Sequence, residues 1–175
     1  MEIRALRETD DRTAFRSGDS DLDRFLVKYA GQNQFRHHIG TTYVAVDGPR
    51  IVGYATVAPG SVAGVGLPAT HRRRLPAYPL PVLRLARLAV DQGAQGGGVG
   101  RALLRHVLVL ALKMAVDFGC VGVVVDAKPG AVEFYARLGF SPLDVAEGSL
   151  DAHPAPAALF LPLDLVTAAL SPRAR

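Results

Sequence analysis

The chain has 175 residues, 49% of them hydrophobic and 21% charged, a composition typical of a single globular domain and unlike that of an intrinsically disordered chain. Its first residues lack the apolar core of a signal peptide, and no apolar run reaches the roughly 20 residues that span a bilayer. The lone cysteine, Cys120, can form neither an internal disulfide nor a cysteine-based metal site. We therefore expect a cytoplasmic protein without a metal, and its formal net charge of +4 favours anionic ligands.

The N-terminal third predicts a short strand, a helix and a β-hairpin. The strand covers residues 3–6, and the helix runs from about Asp21 to Gln34 behind a capping box formed by Ser20 and Asp23. The apolar face expected of that helix holds Leu22, Phe25, Leu26, Tyr29 and Ala30. Residues 41–46 and 51–57 are rich in strand formers and flank the turn signal Asp47-Gly48-Pro49-Arg50, so they predict an antiparallel hairpin.

Residues 58–81 predict a long loop with a short helical turn, because glycine and proline recur there. The three consecutive arginines Arg72, Arg73 and Arg74 lie in this loop, and Tyr78 follows them near two prolines. The loop is therefore a candidate functional segment.

The remaining residues are predicted to form alternating strands and helices. A strand at residues 83–90 leads into a long helix from Gly98 to about Phe118 that ends at Gly119. A buried strand at residues 120–125, a short helix at 130–138 closed by Gly139, and a last strand at 159–161 follow, with loops at 144–151 and 154–156 and a fraying terminal helix after Asp164. We find no repeat and no long linker, so we expect one domain over residues 1–175, with its core at about 3–163 and a tail at about 164–175.

A glycine-dense turn joins the strand at 83–90 to the long helix. Glycines allow the backbone to approach an anion closely, and the N-terminus of the following helix adds a favourable field. A Walker A loop is excluded because Val99, not Lys-Ser/Thr, follows Gly98, and a dinucleotide fingerprint is excluded because Arg101 stands where its third glycine belongs. The turn instead matches Arg/Gln-x-x-Gly-x-Gly/Ala, with Gln95, Gly98 and Gly100 at the defined positions.

That pattern resembles the pyrophosphate-binding motif of the GNAT N-acetyltransferases. Downstream, the stretch from Phe134-Tyr135 to Gly139-Phe140 is similar to the Phe-Tyr-x-x-x-Gly-Phe signature near that family's active site. The resemblance implies an α/β protein with the acyl-CoA N-acyltransferase fold, a mixed and mostly antiparallel sheet flanked by helices. It also implies that acetyl-CoA is the co-substrate.

The same resemblance implies two groups of site residues. The strand backbone at Leu88, Ala89 and Val90 would pair with the pantetheine arm, and the pyrophosphate and neighbouring groups would contact Phe134 and the turn residues Gln95, Gly96, Gly97, Gly98, Val99, Gly100 and Arg101. Tyr135 would lie near the thioester sulfur. A phenol with a pKa of about 10 is protonated at neutral pH, so Tyr135 is expected to protonate the departing thiolate as a general acid, unless it only anchors the short helix.

A wider pattern looks like the acetyltransferase toxins of bacterial type II toxin-antitoxin systems. It comprises Phe15-x-Ser17-Gly18-x-x-x-Leu22-Asp23-x-Phe25-Leu26, then Tyr54 and residues 85–91, and it spans about residues 3–163 with the Phe134-Tyr135 signature. The resemblance implies acetylation of the α-amino group of aminoacyl-tRNA, which blocks translation. It also implies neutralisation by a ribbon-helix-helix antitoxin, with which the toxin represses its promoter DNA, and we expect a homodimer.

The charge distribution independently favours an RNA substrate. Between Arg72 and Arg105 seven arginines stand against one acid, Asp91, which gives this segment a charge of about +6. Arg72, Arg73 and Arg74 are expected to contact phosphates, with Tyr78 as a stacking surface, although a solvated face without function would show the same run. The α-amine of an aminoacyl ester is acidic enough to be partly neutral near pH 7, so no strong general base is required.

Three points stay open at this level. Arg87 is expected to bind tRNA, but a strand arginine can equally face the cofactor or an internal carboxylate such as Asp126. The acceptor is alternatively a small amine or a protein N-terminus. A non-enzymatic protein that binds coenzyme A and acts through DNA-bound complexes would share the same turn.

Overall fold

The computed structural model describes residues 1–143 and 157–171. Its strands are β1 (Glu2–Ala5), β2 (Thr41–Asp47), β3 (Arg50–Val62), β4 (Leu80–Val90), β5 (Gly122–Ala127), β6 (Ser141–Pro142) and β7 (Ala157–Pro162). The first helix, α1, consists of the successive segments Ser20–Arg24, Phe25–Tyr29, Ala30–Gln32 and Asn33–His37. The later helices are α2 (Ala69–Arg72), α3 (Val99–Asp117), α4 (Val132–Ala136) and α5 (Leu163–Leu170), and single 3₁₀ turns occupy Gly64–Gly66, Gln92–Ala94 and Pro129–Ala131.

The strands form a seven-stranded sheet in the order β1-β2-β3-β4-β5-β7-β6. The pairs β1–β2, β2–β3, β5–β7 and β6–β7 are antiparallel. The hairpin of β2 and β3 closes at Asp47 opposite Arg50, and Gly48 turns the chain with a φ of +57°. The predicted mixed α/β class with a mostly antiparallel sheet is confirmed.

The chain forms two compact units. Unit 1 comprises Met1–Ala58 and Leu85–Val107, and unit 2 comprises Pro59–Arg84 and Leu108–Arg175. The core of unit 1 joins α1, β2, β3 and the segment after β1 through buried side chains that include Leu6, Phe15, Phe25, Leu26, Val44, Ile51 and Tyr54. In unit 2 a separate cluster is built from Val62, Leu67, Leu80, Val82, Val124, Leu143 and Phe160.

The N-terminus of α1 differs from the predicted capping box. Asp19, not Ser20, caps the helix, because its carboxylate accepts hydrogen bonds from the N–H groups of Asp21 and Leu22. Asp23 instead accepts hydrogen bonds from the N–H and the hydroxyl of Ser17, at 2.8 and 2.6 Å. The prediction was wrong because the preceding loop folds back onto the first turn and engages Asp23.

The apolar face of α1 also differs at one position. Phe25, Leu26 and Ala30 are buried as expected, whereas 47% of Tyr29 is exposed. The N–H of Ala30 donates to the carbonyl of Phe25, five residues earlier, so this turn is a π turn with one extra residue. That residue breaks the 3.6-residue spacing on which the prediction rested, and Tyr29 faces solvent.

The other predicted elements within the described residues are present, but several of their boundaries differ. The strand expected from residue 83 begins at Leu80, and the strand expected at residues 120–125 lies at Gly122–Ala127. The strand expected to end at residue 57 continues to Val62, whose side chain joins the core of unit 2. Gly119, at a φ of +104°, follows α3, and Cys120 is buried, as expected, with a thiol pKa raised by burial. The predicted loops at 144–151 and 154–156 and the final residues 172–175 lie outside the described residues. None of the described helices has the length and apolar character needed to cross a membrane.

Candidate functional site

The predicted glycine turn forms a compact loop between β4 and α3 in unit 1. After the turn at Gln92–Ala94, the chain passes through Gly96 at a φ of +80° and Gly98 at +85° before α3 begins at Val99. These are left-handed backbone conformations that residues other than glycine rarely adopt. A Cβ atom at Gly96 or Gly98 would meet nothing within 4 Å, so the backbone conformation, not lack of space, requires glycine there.

The loop leaves several backbone donors available. The first hydrogen bond into α3 joins the N–H of Ala102 to the carbonyl of Gly98, at 3.0 Å. Within residues 1–143 and 157–171, no hydrogen bond uses the N–H groups of Gly98, Val99 or Gly100. α3 is 19 residues long, so its dipole adds positive potential at this end. The arrangement fits a pyrophosphate, which needs several amide donors at once.

Asp91 fixes the entrance of the loop. Its side chain is only 3% exposed, and one oxygen, Oδ1, accepts from Arg50 at 2.5 Å and from the N–H of Gly93 at 3.1 Å. The other, Oδ2, accepts from the N–H of Arg16 at 3.1 Å. One carboxylate therefore ties the β-hairpin, the loop before α1 and the start of the glycine turn together.

Gln95 holds the loop from its other side. Its side-chain amide donates to the carbonyl of Ser17 at 2.9 Å and to that of Val90 at 3.1 Å. The backbone N–H of Gln92 also donates to the carbonyl of Arg16. The side chain of Gln95 thus positions the loop, which is a structural reason for glutamine at the first position of the motif.

Replacing Asp91 by asparagine tests whether this anchor shapes the site. The amide NH₂ would face N–H donors, leaving buried groups unpaired, so we expect Asp91→Asn to lower the free energy of unfolding by about 1–3 kcal/mol. Acetyl-CoA affinity should fall as well, because the amides of the loop lose their alignment. Thermal unfolding and titration with acetyl-CoA measure the two effects. Asp117→Asn, which changes an exposed carboxylate paired with Lys113, is the control and should alter neither. Unchanged acetyl-CoA affinity in Asp91→Asn would refute the anchoring role.

The end of β4 lies beside Gly53, a glycine outside the motifs recognised in the sequence. Ala89 is buried and Leu88 and Val90 are half-buried. A Cβ at Gly53 of β3 would lie 3.2 Å from the carbonyl oxygen of Ala89 and 2.8 Å from Val99 Cγ1. Gly53 therefore allows close packing of this strand and the first turn of α3. A glycine in the middle of a predicted strand was the available signal.

Arg87 stacks on an aromatic ring in unit 1. Its guanidinium carbon lies 3.7 Å from the centroid of the Phe25 ring, and Phe25 stacks on Tyr54 at 6.2 Å. Tyr54 is buried, which raises its pKa, and its hydroxyl donates to the carbonyl of Leu22. Asp126 pairs with Arg84, in unit 2, so the expected alternative of an Arg87–Asp126 pair is wrong. Spacing along β4 could not tell these two arginines apart.

Tyr135 lies in unit 2, on α4. Only 4% of it is exposed, and its ring packs edge-on against Phe134 and Phe140, at centroid distances of 5.1 and 5.4 Å. Its carbonyl accepts hydrogen bonds from the N–H groups of Leu138 and Phe140. Burial raises the pKa of the phenol, so the neutral, hydrogen-donating form is favoured. Tyr135 anchors the short helix and is also protonated, as a general acid must be.

The arginine run also lies in unit 2. Arg72 ends α2, Arg73 and Arg74 follow it, and all three are exposed. Tyr78 is 65% exposed. The structure thus brings Leu88–Val90, Arg87 and the glycine loop together in unit 1, and it places Arg72–Arg74, Phe134 and Tyr135 in unit 2. No group of three or more possible metal ligands occurs among the described residues.

The chain is similar to known acetyltransferases. Residues 38–142 match the family of acetyltransferase (GNAT) domains. A tRNA-acetylating toxin of Mycobacterium tuberculosis is 38% identical over 144 residues, which cover 81% of this chain and 86% of that protein.

Two solved structures are similar over nearly the whole chain. AtaT complexed with acetyl-methionyl-tRNAfMet is 26% identical, with a TM-score of 0.83 over 97% of this chain and 99% of that one. A Tyr-to-Phe mutant of AtaT bound to the C-terminus of the antitoxin AtaR and acetyl-CoA is also 26% identical, with a TM-score of 0.78 over 98% of both chains. Together with the glycine loop, these likenesses show that the chain belongs to the GNAT family of N-acetyltransferases.

Proposed function

We propose that this protein is an acetyl-CoA-dependent toxin that acetylates the α-amino group of aminoacyl-tRNA and thereby blocks translation. The observation that carries the proposal is the glycine loop with free N–H groups at Gly98–Gly100, in a chain 38% identical to a tRNA-acetylating toxin. The AtaT complex with acetyl-methionyl-tRNAfMet supports the same acceptor. A substrate of this kind would place the protein in the cytoplasm.

The proposed reaction is direct transfer. The loop amides bind the pyrophosphate of acetyl-CoA, and the backbone of Leu88–Val90 pairs with its pantetheine arm. The neutral amine of the aminoacyl ester attacks the thioester carbonyl, a C–N bond forms, and the C–S bond breaks. The hydroxyl of Tyr135 donates its proton to the departing thiolate, and the proton released by the amine returns the resulting tyrosinate to its neutral form through water. No covalent enzyme intermediate is needed.

We also propose that regulation follows the toxin-antitoxin pattern. A ribbon-helix-helix antitoxin would neutralise the protein, and the complex would bind promoter DNA. AtaT bound to the C-terminus of AtaR supports an antitoxin partner. The homodimer expected from the sequence stays a prediction, which the molar mass in solution would test.

Acetyl transfer from labelled acetyl-CoA tests the function directly. The purified protein should transfer label to charged tRNA and not to the same tRNA after deacylation, and mild alkaline hydrolysis should release the label as an N-acetyl amino acid. Label in a small amine or in a peptide N-terminus, with none in charged tRNA, would support an acetyltransferase with another acceptor. Binding of acetyl-CoA without transfer to any amine would support a non-enzymatic role.

The exposed arginines of unit 2 provide a second test. Changing Arg72, Arg73 and Arg74 together to glutamine should weaken tRNA binding, because charge-assisted phosphate contacts are lost. The slope of log Kd against log salt concentration should become shallower by about one for each phosphate contact removed. Measurements of tRNA binding over a range of salt concentrations give both the Kd and its salt dependence. Lys113→Gln, at an exposed site on α3, should leave the slope unchanged, and equal slopes in the triple variant and the wild type would contradict a tRNA-binding role for the run.

A further inference from the structure

A charged cavity in unit 1 lies apart from the glycine loop. Its volume is about 390 Å³, and it is bounded by the segment after β1 and by one face of α1. Lys28, Gln32 and Arg36 recur every four residues on that face, and Glu8 and Arg12, from the segment after β1, also line the cavity. Three cations therefore surround the cavity together with one carboxylate.

The nearby acids form hydrogen bonds with other groups, although, besides the hydrogen bonds from Thr13, the charge of Arg12 helps to lower the pKa of the neighbouring Asp11. Asp10 receives both terminal nitrogens of Arg4, at 2.8 Å each, and also the N–H of Arg7. Asp11 accepts hydrogen bonds from the N–H and the hydroxyl of Thr13. In the described parts of the chain, no ion pair joins Arg12, Lys28 or Arg36 to a carboxylate. The cavity lining carries a formal charge of +2 if Glu8 is counted as ionised.

Gly31 gives the cavity its shape. A Cβ at this position would lie 2.4 Å from Arg12 Nη1, so the guanidinium occupies the space of the missing side chain. Glycine inside a helix is unfavourable for helix stability, and Gly31 has no left-handed φ that would explain it. The absence of a side chain at Gly31 allows Arg12 to lie against α1. Phe35, which packs against the core of unit 1, also lines the cavity.

α1 connects this cavity to the glycine loop between β4 and α3. The carbonyl of Ser17, just before α1, accepts a hydrogen bond from Gln95 of the loop. Lys28 lies eight residues beyond Ser20, the first residue of α1, which corresponds to roughly 12 Å along a helix. A ligand that reaches both places must be long and must carry an anionic group away from its reacting end.

We propose that the cavity formed by Arg12, Lys28 and Arg36 binds a phosphate group of the tRNA whose aminoacyl end is acetylated. This inference rests on the proposed function and assigns a substrate subsite to it. Guanidinium and ammonium groups that converge without a paired carboxylate match the charge and the acceptor oxygens of a phosphate. The phosphate is either the 5′-terminal monophosphate, which neighbours the aminoacyl end in tRNA, or a backbone phosphodiester.

Binding and kinetics of single variants test the proposal. Arg12→Gln, Lys28→Gln and Arg36→Gln should each raise the Kd for tRNA and the KM for charged tRNA about tenfold, with kcat and acetyl-CoA affinity unchanged. Arg24→Gln is the matched control, because Arg24 lies on the same helix, pairs with Asp21 and does not line the cavity. If all three variants bind tRNA like Arg24→Gln, the proposal is overturned.

Gly31→Ala separates a binding defect from a folding defect. Alanine favours the helix, so the melting temperature should stay the same or rise, while the displaced guanidinium of Arg12 weakens tRNA binding. Wild-type affinity for tRNA in this variant would overturn the assigned position of Arg12.

Binding of 5′-dephosphorylated tRNA shows which phosphate the cavity binds. Loss of affinity on 5′-dephosphorylation, with no further loss in Arg12→Gln, identifies the terminal phosphate, whereas an undiminished effect of Arg12→Gln identifies a phosphodiester.

The failure of this inference can be told from the failure of the proposed function. If the wild-type protein does not acetylate charged tRNA, the function itself is wrong. If it does so and the cavity variants match the control, only the subsite is wrong.

Discussion

Tyr135→Phe is expected to reduce kcat for charged tRNA by about 10²- to 10⁴-fold, the usual contribution of a general acid. The Kd for acetyl-CoA should change by less than about twofold, since the glycine loop and the end of β4 remain intact. Stability should also be preserved, because the phenyl ring keeps its edge-on packing against Phe134 and Phe140. Single-turnover acetylation, titration with acetyl-CoA and thermal unfolding measure the three quantities.

Tyr78→Phe is the control for this change. It removes the hydroxyl of an exposed tyrosine and keeps a ring that can still stack, so kcat should match the wild type. A Tyr135→Phe protein with wild-type kcat would leave Tyr135 with its anchoring role in α4 alone.

The pH dependence adds an independent check on the acid role. A general acid is active while protonated and loses activity as pH rises through its pKa. Burial raises the pKa of Tyr135 above the ordinary tyrosine value, so its proton is retained throughout the neutral range. We therefore expect kcat to show no alkaline decline below about pH 10, and a decline near pH 8 would point to another group as the acid.

Gly98→Ala is expected to abolish most acetyl-CoA binding. At a φ of +85°, a Cβ atom is strained, and relaxation to negative φ would turn the free N–H groups at the start of α3 away from the pyrophosphate. Loss of one or two hydrogen bonds to a charged group corresponds to an increase in Kd of about 10- to 100-fold or more. Calorimetric titration with acetyl-CoA and with the free coenzyme measures it.

Gly48→Ala supplies a control with the same kind of strain. Gly48 lies in the hairpin turn at a φ of +57°, and a Cβ there meets nothing within 4 Å, as at Gly98. Both substitutions should lower the free energy of unfolding by about 1–2 kcal/mol, the cost of a left-handed residue with a side chain. Only Gly98→Ala should lose acetyl-CoA affinity. Equal affinities in the two variants would show that the loop conformation is not needed for binding.

The local sequence pattern was sufficient to predict most strands and helices, because the interactions that favour them act over a few residues. Alternating apolar residues and the turn at Gly48 marked the hairpin of β2 and β3, and the periodicity after Gly98 marked α3. The same reasoning failed at α1, where Asp19 replaced the predicted cap and a π turn moved Tyr29 into solvent. The spacing of residues alone shows neither that the preceding loop folds back so that Ser17 engages Asp23, nor that one turn of the helix contains an extra residue.

The sequence by itself therefore determined the order of strands and helices, the glycine turn and the family to which it belongs, because these depend on residues adjacent in the chain. Tertiary structure decided the partners of charged side chains. Asp91 joined Arg50 and the loop before α1, Arg84 paired with Asp126, and Arg87 stacked on Phe25. It also placed the guanidinium of Arg12 beside Gly31, in space that a side chain at this position would occupy. Such contacts join residues far apart in the chain, and folding alone brings them within hydrogen-bonding or van der Waals distance.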